Sequence, residues 1–199
     1  MRSVLVLIAA FGIFQLASAG CRGGRSSAYR PADQQARDPQ RAASLTSEAA
    51  DAIESDELEK AESLLRDALG ADLFHGPAHN NLGVVYLKQG KLYSAASEFE
   101  WARKLMPGQP DPRINLAITL ERAGQVRDAE EAYRSAMEIA PLHIDAMTGL
   151  ARLRVVASET DRETVELLSR IEAMTDDPGL RAWARDQRLR LAYGLTPQR

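Results

Sequence analysis

Shifted by 34 residues, the middle of this chain superposes on itself. Leu82 falls on Leu116 and Leu150, Gly83 on Ala117 and Ala151, Tyr86 on Leu120, Gly90 on Gly124, Ala95 on Ala129, Phe99 on Tyr133, Ala102 on Ala136 and Pro107 on Pro141. A fixed period of this length means stacked units, none of which can bury its apolar face alone. Each column has a physical task. Gly83, Ala117 and Ala151 are small where two helices approach closely, Gly90 and Gly124 can end a helix in a left-handed residue, and Pro107 and Pro141 stop the second helix. Leu82, Val85 and Tyr86, then Leu92, Ala95, Ala96, Phe99 and Ala102, follow helical spacing, so each unit is helix, turn, helix.

This pattern resembles the tetratricopeptide repeat, whose small, aromatic and proline columns are matched at nearly every place in residues 76–109 and 110–143. The resemblance implies an all-α fold, a right-handed α-solenoid of three to four helix-turn-helix repeats. Residues 44–75 read as a degenerate first repeat: Ala49, Leu58, Ala61, Leu65 and Ala68 keep their columns, but Glu48 replaces the leucine and Leu73 the proline. Residues 144–178 read as a degenerate last repeat, in which Arg154, Glu163 and Arg170 stand where a further unit would bury apolar groups. A capping helix and tail follow in residues 179–199, with Trp183 and Leu191 available to cover the end of the stack.

Upstream of the repeats the chain reads as an address. Arg2 precedes the apolar run Val4–Leu16, whose 13 residues reach only about 20 Å as a helix, short of a hydrocarbon core of about 30 Å. Residues 1–20 are therefore expected to be a signal peptide. Ser18-Ala19-Gly20-Cys21 resembles the lipobox of bacterial lipoproteins, although Ser18 departs from the usual leucine. That resemblance implies lipidation of Cys21, a membrane anchor, and a place on the periplasmic face of the outer membrane; cleavage after Ala19 would instead leave a soluble periplasmic chain. Residues 21–43 have one aromatic side chain and no branched aliphatic one, and are expected to form a disordered tether behind the lipidated cysteine.

In this family the first helix of each pair lines a concave groove. Carried over by column, the groove residues are Asn80, Asn81, Val84, Leu87 and Lys88, then Ile114, Asn115, Ile118, Glu121 and Arg122, then Thr148, Arg152 and Val155. Asn81 and Asn115 are 34 apart, so they are expected one above the other, where amides can both donate to and accept from an extended peptide. The family's carboxylate clamp is not matched: Asn80 stands at its first lysine column and Val84 at its next asparagine column. Val84, Leu87, Ile114, Ile118 and Val155 suggest a partly apolar groove for a peptide or helix of another protein.

Charge and composition exclude several classes. A net charge of −3 gives no footprint for nucleic acid, and one cysteine can close no intramolecular disulfide. Residues 44–75 carry nine acidic groups against Lys60 and Arg66, and residues 179–199 carry five arginines against Asp186, which leaves end-to-end pairing in a homodimer open. His75 and His79 enclose Gly76 and Pro77 without the glutamate of a zincin helix. No catalytic, metal or cofactor site is expected. The reading is a non-enzymatic interaction scaffold, an envelope lipoprotein that assists assembly of a pilus, secretion or outer-membrane complex; the alternative is a soluble periplasmic repeat protein acting through homo-oligomerisation.

Overall fold

The structure is a computed structural model that describes residues 37–159 and 161–194. By its contacts the chain divides after Gln35, and residues 36–199 form one compact unit. Among the described residues there are nine helices and no strand: α1 (Pro39–Glu54), α2 (Leu58–Ala71), α3 (Gly76–Lys88), α4 (Leu92–Leu105), α5 (Asp111–Arg122), α6 (Val126–Ile139), α7 (Ile144–Val156), α8 (Arg162–Met174) and α9 (Pro178–Ala192). Successive helices pack as antiparallel pairs, and the first helix of each pair also touches the first helix of the next: α1 on α3, α3 on α5, α5 on α7. The unit is an all-α solenoid.

Four turns repeat one hydrogen-bond scheme. After α1, α3, α5 and α7, the residue at positive φ is Asp56, Gly90, Gly124 and Ser158, each 34 from the last. The next N–H reaches back to a carbonyl five residues earlier: Glu57 to Ala52, Lys91 to Tyr86, Gln125 to Leu120 and Glu159 to Arg154, at 2.8–2.9 Å. This closes the last helical turn on a left-handed residue, so the carbonyls there do not go unpaired. Glycine is present in only two of the four turns. The backbone repeat thus runs from α1 through α8, further than the glycine column does.

The close-packing column works as its residue sizes require. A Cβ built on Gly83 would lie 2.6 Å from the Phe99 ring, so only hydrogen leaves room for that ring between α3 and α4. The buried side chains form two clusters. One holds α1–α4 with Leu116, around Leu65, Val85 and Phe99; the other runs from Ile114 through α9, around Met147, Leu150, Leu168 and Ile171. Leu180, Trp183 and Leu191 of α9 cover the end of the second cluster.

Several expectations need correction. The signal peptide, Cys21 and the tether up to residue 36 lie outside the described residues. The tether, expected to reach residue 43, gives way to α1 at Pro39. Asp38 caps that helix by accepting from the Arg41 N–H at 2.9 Å, Pro39 fits the first turn, and Ala42 is fully buried. Arg37 fixes the approach, pairing bidentately with Asp72 at 2.7 and 3.1 Å. Arg154 stands where a further unit would bury an apolar group, yet it is itself buried, at 4% exposure. Its guanidinium donates to Asp161 and Glu163, and its Nε lies 3.0 Å from Glu159. The ion cluster replaces the apolar contact.

Candidate functional site

The first helices α3, α5 and α7 pack in succession, and a cleft of about 670 Å³ opens between α5, α7 and the start of α9. Ile118, Glu121 and Arg122 form one wall, Asp145, Thr148, Gly149 and Arg152 the other, and Asp177 and Leu180 close the end. Of the residues selected by column, Ile118, Glu121, Arg122, Thr148 and Arg152 meet in this cleft. Arg152 also lies over the Trp183 ring, 5.6 Å from its centroid, so an end-covering aromatic positions a groove cation.

Toward the N-terminal end the groove is amide-lined, but not as a simple ladder. Asn115 donates to Asn80 at 3.1 Å, and Asn80 donates to Asn81 at 3.4 Å. Thus Asn115 bonds to the neighbour of the expected rung and reaches Asn81 only through it. Val84 and Leu87 are half-buried against the first core, and Lys88 pairs with Asp56 at 3.1 Å. Ile114 and Val155 are each 5% exposed and belong to the second core, so they offer a ligand almost no surface.

Tyr133 and Gly149 were not selected from the sequence as groove residues. Tyr133 sits in the core column of Phe99, but a Cβ on Gly149 would lie 2.2 Å from its Cζ and 2.6 Å from its hydroxyl oxygen. The phenol therefore passes over α7 into the cleft, where its hydroxyl donates to Glu121 at 3.3 Å. Burial, reinforced by the Glu121 carboxylate, pushes its pKa above the ordinary tyrosine value. The available signal was Gly149 in the column of Asn81 and Asn115. At that rung the groove replaces an amide with a phenol.

The remaining candidates are structural. His79 is buried, with Nδ1 2.6 Å from Glu98 and Nε2 donating to the Leu73 carbonyl at 2.9 Å. His143 Nε2 lies 3.7 Å from Asp111. The described arginines of α9 are engaged locally: Arg185 and Arg188 with Glu172, Arg190 with Asp186, and Arg181 with the Thr175 carbonyl. Among the described residues no three His, Cys, Asp or Glu side chains gather as a metal site, and no helix is long and apolar enough to cross a membrane.

Comparison with known proteins agrees with this architecture. The first tetratricopeptide repeat domain of Spaghetti (RPAP3), solved bound to an HSP90 peptide, is similar at a TM-score of 0.60 and 16% identity, over 63% of this chain and 99% of that one. A tetratricopeptide repeat protein from Parabacteroides merdae gives 0.66 at 18% identity, over 78% of this chain and 61% of its own. The Sgt2 domain from Aspergillus fumigatus gives 0.58 at 23%, over 64% and 85%. At these identities the likeness is one of fold. No curated protein matches significantly in sequence. The protein kinase G tetratricopeptide repeat family matches residues 9–177, so that four like turns, a small-residue column and a sequence match across most of the chain converge: the chain belongs to that family.

Proposed function

We propose that the protein is a non-enzymatic interaction scaffold that binds a segment of another protein along α3, α5 and α7. The observation that carries this reading is the open cleft between α5, α7 and α9, which offers Ile118 and Leu180 as apolar contacts and Arg122, Arg152 and the Tyr133 edge as polar ones. Such a mixture suits an extended peptide or an amphipathic helix, whose apolar anchors give affinity while polar groups set the register. The RPAP3 domain, solved with an HSP90 peptide, is an example of the fold carrying a peptide. Here the amide chain Asn115–Asn80–Asn81 would hold peptide backbone without reading side chains.

The lipobox-like Cys21 supports placing this scaffold on an envelope membrane, facing the periplasm, where a lipid anchor would raise its effective concentration for membrane-borne partners. Assembly of an envelope complex is the role that fits a scaffold so placed. The test is site-specific photo-cross-linking in cells, with the probe at Ile118 or Arg152 and, as control, at exposed Glu138 on α6. Adducts with one partner from both groove positions and none from the control are expected; identical adducts from all three positions would refute groove binding. Anchoring is checked by the mass of the mature N-terminal peptide: a diacyl or triacyl Cys21 is expected, and an unmodified cysteine refutes it.

A further inference from the structure

Between α2 and α3 and on neighbouring α4, three large apolar side chains lie outside both cores. Leu73 is 62% exposed, Phe74 44% and Trp101 49%. Leu73 and Phe74 are consecutive between α2 and α3, and His79 links that segment to α4 by donating to the Leu73 backbone carbonyl and stacking on Trp101 with ring centroids 5.9 Å apart. The fold does not require them. Leu73 occupies the column of Pro107 and Pro141, and Trp101 that of Ser135 and Ser169.

Each ring carries a cation. The Arg37 guanidinium lies 5.0 Å from the Phe74 centroid and the Lys104 ammonium 5.7 Å from that of Trp101. The neighbouring carboxylates are paired, Asp72 with Arg37, Glu98 with His79 and Glu100 with Arg103, so the net positive charge of the patch rests on Lys104. Leucine and aromatic tips rimmed by basic side chains match the boundary between headgroups and acyl chains. There an aromatic ring can enter while a long basic side chain keeps its charge among anionic headgroups.

We propose that Leu73, Phe74 and Trp101, with Arg37 and Lys104, form a surface that docks on an anionic bilayer. The choice of a lipid occupant comes from where the preceding chain joins the fold, and in this it rests on the anchor reading above. Arg37 belongs to the patch and is 16 residues from Cys21, so an anchored chain holds the patch within about 55 Å of the membrane even when fully extended. The intervening residues contribute Arg22, Arg25 and Arg30 against Asp33, an added attraction to anionic lipid. The acyl chains expected on Cys21 supply the anchor itself, and the patch would bring the folded unit down onto the same bilayer.

The test uses residues 36–199, which hold both cores and form a unit of their own, without any acyl group. In a Trp183→Phe background, vesicles of phosphatidylethanolamine and phosphatidylglycerol carrying brominated chains should quench Trp101 fluorescence. Leu73→Ser with Phe74→Ser should lower partitioning by roughly tenfold or more while leaving the melting temperature in place. Lys104→Glu should weaken binding to the anionic vesicles and leave phosphatidylcholine vesicles unaffected. Absence of quenching, or equal partitioning by the double variant, overturns the proposal. Because no acyl chain is present, this outcome is independent of the mass measurement on Cys21.

Discussion

Asp56 and Ser158 adopt the left-handed conformation that Gly90 and Gly124 adopt in the equivalent turns, with φ of 59° and 61° against 75° and 76°. A side chain there costs roughly 1–2 kcal/mol, less for aspartate. Ser158→Gly should therefore stabilise the fold by about 0.5–1 kcal/mol after the added unfolded-state entropy, and Gly90→Ala should destabilise it by about 1 kcal/mol. Urea titration measures both; a Ser158→Gly variant less stable than wild type would contradict the turn assignment. His79 shows a different balance. Burial disfavours its charged form, but the hydrogen bonds to Glu98 and the Leu73 carbonyl outweigh this, and its pKa is raised above 6.5. Its contribution is therefore complete below pH 6.5 and is lost as pH rises through the higher folded value. The melting-temperature gap between wild type and His79→Gln should shrink from about pH 6 to about pH 9. A gap that grows over this range would reverse the assignment.

Among the elements, α8 and α9 depend most on charge. Arg154, on α7, is bound by Asp161 and Glu163 at the start of α8, and both carboxylates are held below their ordinary range. The leading cause for Asp161 is the Thr164 N–H that it caps; for Glu163 it is the Arg154 guanidinium. Carboxylates of lowered pKa stabilise above their unfolded values, near 4, and that stabilisation is lost as pH falls through the folded values. Amide protection in α8 should therefore fail before that in α4 on acidification. Arg154→Ala should cost about 1–3 kcal/mol, because its acidic partners remain half exposed and screened. Helix α9 begins 34 residues after α7 and is in effect a fifth first helix, yet Arg185 occupies the small-residue column of Ala151. Arg185 instead pairs back to Glu172 on α8 at 2.7 Å.

For the folded unit as a whole, two core clusters meet at α5. Leu116 belongs to the first, Ile114 and Ala117 to the second, and Leu120 packs against both. A stack in which each repeat touches only its neighbours is as cooperative as its weakest interface. Leu116→Ala should cost about 2–4 kcal/mol and separate unfolding into two steps, with α1–α4 exchanging amide hydrogens at a different denaturant concentration from α6–α9. A single coincident transition would show that the clusters couple through more than α5.

The period, the helix pairs and the small-residue column are legible along the chain, because these depend on spacing and on side-chain size. The same spacing also placed Ile118, Arg122 and Arg152 in the groove, since neighbouring repeats repeat the same faces. Tertiary structure alone decided the rest. Whether Arg154 weakens or secures the last repeat depends on three acids in and just after the turn, and where the chain before α1 docks depends on Arg37 meeting Asp72, 35 residues away. Tyr133 enters the groove because Gly149 on another helix leaves its ring room. Charge pairing and ring placement are set by distances between elements, and a repeat pattern read along the chain contains no such distances.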